Sequence, residues 1–364
     1  MLIIISDNKF SGVKTWLNHF ILKYNDTILF YELNNDVLKL FEDKNNTIYV
    51  NNYTKKDLYT YINTNIINAS IYFIIHSDIC PSNSFYINNI NCFTGVVCIS
   101  KYIYDKISKL YPDTKIIYQP NDELLQNNTI IDCNSIVNYN NIVNYTDHIE
   151  NRVYKFAYMG RLSPEKNLIM LFDALYTINT TQITPIEFEL HVYGCNNNET
   201  AYEKYIKQYV DELKIKNIFF HNYTTNIYEI YSIIDCIILP SVHEGLPFCL
   251  LEANFYNKEF IANNFCHLEY HLLNKNNLFT FYGLDMNMYE NKLYINNYNE
   301  LLKHIGYIEI YFNKHTPKWV IKKTIHMLPC KSLLTSPRLV NRINECYEKN
   351  VNLLITFILQ KIEK

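Results

Sequence analysis

Short, fully apolar runs that stop at polar or glycine-bearing loops, each followed by a helical pattern, constrain this chain more than any other feature. The first is Leu2–Ile5, followed by a loop carrying Gly12 and a helical pattern from Trp16 to Leu22. A run apolar on both faces marks a parallel strand covered by helices on both sides, because a sheet with one solvated face alternates instead. Comparable runs recur at 27–31, 47–50, 71–75, 96–99 and 115–118, with helical stretches at 55–67 and 101–110 and Ser100 placed to cap the latter. This alternation predicts a doubly wound α/β domain, whose ligand-binding loops leave the carboxyl ends of the strands. The pattern pauses in an Asn-rich stretch, 124–151, and then resumes with strands expected at 156–159, up to Gly194, at 217–221 and at 235–239. At 364 residues, two domains are the natural division. The boundaries read as 1–150 with its Asn-rich connection, 151–336, and a final helix over 337–364.

Composition excludes several functions. The net charge is −3, with 11 Lys against 15 acidic side chains in 1–150 and 22 basic against 21 acidic in 151–364. Neither half offers a basic surface to nucleic acid or anionic lipid. Asn, Ile, Tyr and Lys are abundant and Gly and Arg scarce, so the Asn-x-Ser/Thr sequons and the tyrosines carry little functional weight. Ten cysteines form no C-x-x-C pair and no Cys/His cluster at metal spacing, which reads as free thiols in a reducing compartment. The start, M-L-I-I-I-S-D, lacks the basic and long apolar regions of a signal peptide. The most apolar late segment, 351–359, is far shorter than the ~20 residues that span a bilayer. The expectation is a soluble, cytoplasmic protein with no transmembrane segment and no nucleic-acid partner.

Two stretches carry the chemistry. In the first, Phe156–Met159 reads as a strand, Gly160 turns the chain, Ser163 caps a helix and Pro164 takes its first position. Arg161 then precedes that helix and Lys166 falls in its first turn. Cations are disfavoured at the positive end of a helix dipole, so the pair makes sense if an anion sits there. A helix N-terminus with Arg and Lys is a phosphate receptor. The alternative is two solvated surface charges, but Arg161 is one of only four arginines. The second stretch, Leu239–Ala253, reads as strand, loop and helix, with Glu244 and Glu252 separated by seven residues and Gly245 and Pro247 at the turn. Of seven glycines, Gly12, Gly160, Gly194 and Gly245 fall at expected strand ends, where a Cβ would obstruct the turn or a ligand. His76 directly follows the run 71–75, at a strand's carboxyl edge, where a structural and a functional role are about equally open.

Together these segments resemble the GT-B glycosyltransferases, specifically the retaining group 1 (GT4-type) family. The resemblance rests on G-R-L-S-P-E-K-N at 160–167 and on the Glu-x7-Glu motif at 244–252, preceded by P-S and containing E-G-L-P. S-G-V-K-T (11–15), V-C-I-S (97–100) and Q-P-N-D (119–122) support it. The chain departs from the pattern at Ser11-Gly12, at Cys195-Asn196 after Gly194, and at Asn257-Lys258-Glu259 after the motif helix.

The resemblance implies an α/β fold of two Rossmann-like doubly wound domains facing a central cleft, with the last helix packing back on the first domain. It implies a donor that is a nucleotide-diphosphate sugar of UDP or GDP type, bound mainly by the second domain, and a glycan, protein or lipid-linked acceptor. Arg161 and Lys166 would hold the diphosphate and Glu252 the ribose hydroxyls. Glu244, with the backbone of Gly245, Leu246, Pro247 and Phe248, would contact the donor sugar. Gly12, Gly160 and Gly194 would complete the donor set, and His76 would lie near the reacting sugar. No cofactor or metal is called for, since there is no D-x-D pair at a strand end and the two cations replace the metal's charge. Two rivals remain: a protein of this fold that binds a nucleotide sugar or glycan without turnover, and a glycoside hydrolase using the paired acids.

Overall fold

The computed structural model describes residues 1–6, 12–51, 56–76, 89–121, 153–163, 166–181, 187–196, 198–224, 226–241, 244–263, 278–279, 308–313, 318–324 and 337–362. The Asn-rich connection, the loop at 7–11 and Pro164 lie outside these residues. The chain divides into two compact units, and the second begins its long continuous stretch at Lys155.

The first unit is built on six strands: β1 (Leu2–Ser6), β2 (Thr27–Phe30), β3 (Thr47–Asn51), β4 (Ser70–Ile75), β5 (Gly95–Cys98) and β6 (Ile116–Tyr118). They form one sheet in the order β2-β1-β3-β4-β5-β6, with every pairing parallel. Ile3, Ile4 and Ile5 are fully buried, which is why the run is apolar without alternation. Its helices are α1 (Gly12–Lys23), α2 (Asn35–Lys39), α3 (Lys56–Thr64) and α4 (Lys101–Leu110). Ser100 caps α4 as expected, its hydroxyl accepting from the Ile103 amide at 3.3 Å. The sequence reading did not anticipate α2. The Asn34 carboxamide caps it, accepting from Asp36 and Val37 amides at 3.0 and 2.9 Å. At five residues it is too short to show a helical period.

The second unit has a six-stranded sheet of β7 (Tyr154–Met159), β8 (Phe188–Cys195), β9 (Ile218–Asn222), β10 (Cys236–Leu239), β11 (Glu259–Asn263) and β12 (Leu278–Phe279). Their order is β12-β11-β10-β7-β8-β9. The chain runs outward from β7 to β9 and returns to place β10 on the other side of β7. The carboxyl ends of β7 and β10 therefore flank a topological switch point, the place where open α/β sheets bind ligands. A separate antiparallel pair joins β13 (Ile308–Asn313) and β14 (Lys318–Thr324).

The described helices of this unit are α5 (Leu168–Thr181), α6 (Ala201–Leu213), α7 (Ile227–Ile233), α8 (Phe248–Phe255) and α9 (Pro337–Ile362). A buried carboxyl links three of them. Asp173 on α5 accepts from Tyr209 of α6 at 2.5 Å and from Tyr347 of α9 at 2.8 Å. Burial pushes this carboxyl up to about 8, although the two phenols pull it down. Near the other end of α9, Lys361 pairs with Glu259 at 2.8 Å. Both of these contacts lie within the second unit. Among the described residues, no helix is long and apolar enough to cross a membrane.

Candidate functional site

Two glycines bring the exits of β7 and β8 into contact. The Gly160 amide donates to the Tyr193 carbonyl at 3.1 Å. Gly194 has φ +142°, and a Cβ built there would lie 1.9 Å from the Gly160 carbonyl oxygen. That distance is impossible for real atoms, and the obstacle is backbone rather than a side chain that could swing away. Gly194→Ala is expected to cost about 3 kcal/mol or more, from overpacking and from a φ an L side chain rarely adopts. Urea denaturation checks this, and a loss below about 1 kcal/mol would show that the two loops can part.

The loop after Gly160 carries both cations. Arg161 is exposed, and its carbonyl accepts from the Tyr158 hydroxyl at 2.7 Å. Lys166 does not lie in the first turn of the helix as the sequence suggested. Asn167 adopts a left-handed φ of 56°, so α5 starts only at Leu168 and Lys166 sits in the turn before it. That placement frees the lysine from the helix surface. Its ammonium forms an ion pair with Glu244 Oε1, and the two side chains are only 12% and 13% exposed. Ser241 donates its hydroxyl to the same carboxylate oxygen at 2.8 Å. The exits of β7 and β10 thus place Lys166 and Glu244 together at the switch point.

The second acid of the motif has a different environment. Glu252 lies on α8 and is buried. Tyr231 of α7 shares its hydroxyl between Glu252 Oε2, at 3.1 Å, and the Cys249 carbonyl, at 2.8 Å. Burial raises the Glu252 carboxyl to about 7, against the lowering effect of that phenol. Helix α8 begins after Pro247 with no side chain capping it, and Gly245 and Leu246 in the preceding loop are buried.

In the first unit, the carboxyl ends of β1, β3 and β4 meet in a short relay. Asn51 donates Nδ2 to Ser6 Oγ at 2.9 Å, and its Oδ1 lies 2.5 Å from His76 Nε2. Since the amide oxygen only accepts, Nε2 carries the proton. Trp16 meets the imidazole edge-on, with centroids 5.3 Å apart. Burial pushes His76 down to about 3, so it is neutral across the physiological range. Gly12 opens α1. Among the described residues, no group of three or more His, Cys, Asp or Glu is arranged to hold a metal ion.

Ser241, Asn167, Asn263 and Tyr231 were missed as contributors. Ser241 stands in the quoted P-S pair and could have been found. The others had no signal in a chain so rich in Asn and Tyr.

Residues 147–289, which contain Lys166, Glu244 and Glu252, match the family model for glycosyl transferases group 1. No curated protein matches the chain. Among solved structures, HepE from Anabaena in complex with UDP and glucose is similar at 17% identity and a TM-score of 0.54, over 77% of this chain and 84% of that one. A glycosyltransferase from Rickettsia africae is similar at 16% identity and a TM-score of 0.54, over 100% of this chain and 97% of its own. Two TarM structures, one from S. aureus, also match (identities 18% and 14%, TM-scores 0.46 and 0.49, over 66% and 90% of this chain), and the chain spans 46% and 57% of their lengths. The fold is that of the GT-B glycosyltransferases. Within it, residues 147–289 are the stretch that matches the group 1 glycosyl transferase model.

Proposed function

We propose that this chain transfers a sugar from a nucleotide-diphosphate sugar to an acceptor hydroxyl, with retention and without a metal ion. The observation that carries the proposal is the joining of Lys166 and Glu244 at the switch point of the matched domain, with Glu252 buried on the adjoining helix. Departure of the diphosphate concentrates negative charge as the sugar turns oxocarbenium-like. Lys166 and Arg161 supply the opposing charge, and one preorganised donor of this kind is worth about 3–4 kcal/mol. Glu252 accepts the ribose hydroxyls and Glu244 contacts the donor sugar with the Gly245–Phe248 backbone, while neutral His76 is the first unit's candidate hydrogen-bonding group. The HepE complex with UDP and glucose favours a UDP-type donor. The acceptor is a glycan, a protein or a lipid-linked hydroxyl. Six described cysteines are free thiols, which favours a reducing, cytoplasmic setting. Glu244 is tied to Lys166 and Glu252 to Tyr231, so the two carboxyls have separate partners, which argues against a hydrolase pair flanking one bond.

A thermal-shift screen of UDP, GDP, ADP and CMP tests the reading. The matching nucleotide at a hundred times its Kd adds about 2.7 kcal/mol of stability. Mass spectrometry of products from the corresponding sugar donor then separates transfer from binding alone. No response to any nucleotide overturns the reading, and an inverted anomeric centre in the product overturns retention.

A further inference from the structure

The end of β10 is held from both sides by side-chain amides. Strands β10 and β11 run in parallel register up to Leu239 and Ala262. The next residue, Pro240, has no N–H, so it cannot donate to the ladder. Asn167, ahead of α5, donates Nδ2 to the Pro240 carbonyl at 3.3 Å. Asn263, the last residue of β11, donates Nδ2 to the Ser241 carbonyl at 3.2 Å. Ser241 and Asn263 are fully buried, and the Ser241 hydroxyl donates to Glu244 Oε1 at 2.8 Å.

We infer that Asn263 and Ser241 are positioning residues that hold the Glu244 carboxylate toward the donor sugar while Lys166 turns to the diphosphate. The inference rests on the proposed function, in which both groups serve one donor. In the structure, Lys166 and Ser241 both hold Glu244. A lysine ammonium is a compact charge on a flexible stem and imposes little direction on its partner. When an anionic diphosphate competes for Lys166, that ion pair loosens. The Ser241 hydroxyl has one proton on a single short lever, and its own backbone is pinned by Asn263. Its charge-assisted bond is therefore the one that persists and fixes the carboxylate's direction. Groups acting on a reacting sugar need a supporting shell that holds them to about 0.5 Å.

The experiment compares wild type with Ser241→Ala, Asn263→Ala, the double variant and Ser241→Thr, which keeps the hydroxyl. Affinities are measured for UDP and GDP and for UDP-glucose, UDP-galactose, UDP-GlcNAc and GDP-mannose. With water as the sugar's acceptor, release of nucleotide from the sugar probe that wild type hydrolyses fastest gives kcat and KM. Expected for Ser241→Ala is nucleotide affinity within twofold of wild type and a tenfold or larger fall in kcat at similar KM. The double variant falls no further than Ser241→Ala, because the two residues act through one carboxylate. Ser241→Thr recovers most of the rate. An unchanged kcat in Ser241→Ala, losses that multiply in the double variant, or nucleotide affinity lost in parallel with the rate overturns the assignment. Should Asn263→Ala fail to fold, Ser241→Ala and Ser241→Thr decide it. A wild-type chain that binds none of the six probes overturns the proposed function itself.

Discussion

Lys166→Ala is expected to abolish the rise in melting temperature produced by the matching nucleotide diphosphate. The loss has two parts. The variant removes a cation that attracts the phosphates, and it leaves the Glu244 carboxylate, now held by Ser241 without its counter-charge, facing an incoming anion. Opposed unit charges 4 Å apart near a protein surface interact by about 4 kcal/mol, so both changes act against binding. A fall of a hundredfold or more in affinity follows, read by calorimetry as well as by thermal shift. Adding Glu244→Gln to Lys166→Ala is expected to recover part of the affinity, because it removes the repulsion while leaving the attraction absent. Lys166→Arg is expected to bind but not to match wild type, since a planar fork replaces a point charge in a turn shaped by Asn167. An unchanged shift in Lys166→Ala would take this lysine out of the phosphate site.

Nucleotide affinity is expected to rise close to tenfold between pH 6 and pH 8, and Glu252→Gln is expected to remove that rise. Burial puts the Glu252 carboxyl near 7 rather than 4.5, so it is mostly protonated at pH 6 and mostly ionised at pH 8. Ribose hydroxyls donate to an ionised carboxylate, so binding selects the charged form and releases a proton below pH 7. The sign for stability is opposite. Without ligand, the folded state keeps a proton that the unfolded state gives up above about 4.5, so stability falls as pH rises from there through about 7. The full effect is on the order of 3 kcal/mol. Asp173, raised to about 8, weakens the fold in the same direction, so Glu252→Gln flattens the stability profile only in part. Calorimetric titrations across this range check both signs, and an affinity independent of pH in wild type would remove Glu252 from the ribose site.

The parallel strands were legible because burial on both faces leaves no room for alternation, and Ile3–Ile5 are written accordingly. The two site stretches were legible because Arg and Gly are rare here and stand out where they occur. Lys166 was assigned one turn too deep. Ser163 and Pro164 form a good helix start locally, but the left-handed Asn167 separates Lys166 from the helix. The partners of the site residues were illegible for a different reason. Asn263, Asn167 and Tyr231 reach Ser241, Pro240 and Glu252 across strand and helix neighbours, and nothing in the local sequence marks such an Asn or Tyr.

By itself, then, the sequence determined two α/β units and the stretches that carry Lys166, Glu244 and Glu252. Periodicity, glycine placement and charge are local properties that the chain writes residue by residue. Only the tertiary structure decided how the two acids differ. Sheet order sets β10 beside β7, which brings Glu244 onto Lys166, while α7 covers Glu252 with a phenol and withdraws it from water. Both acids carry the same side chain, with seven residues between them. What separates their chemistry is the desolvation and the partners that folding gives to each.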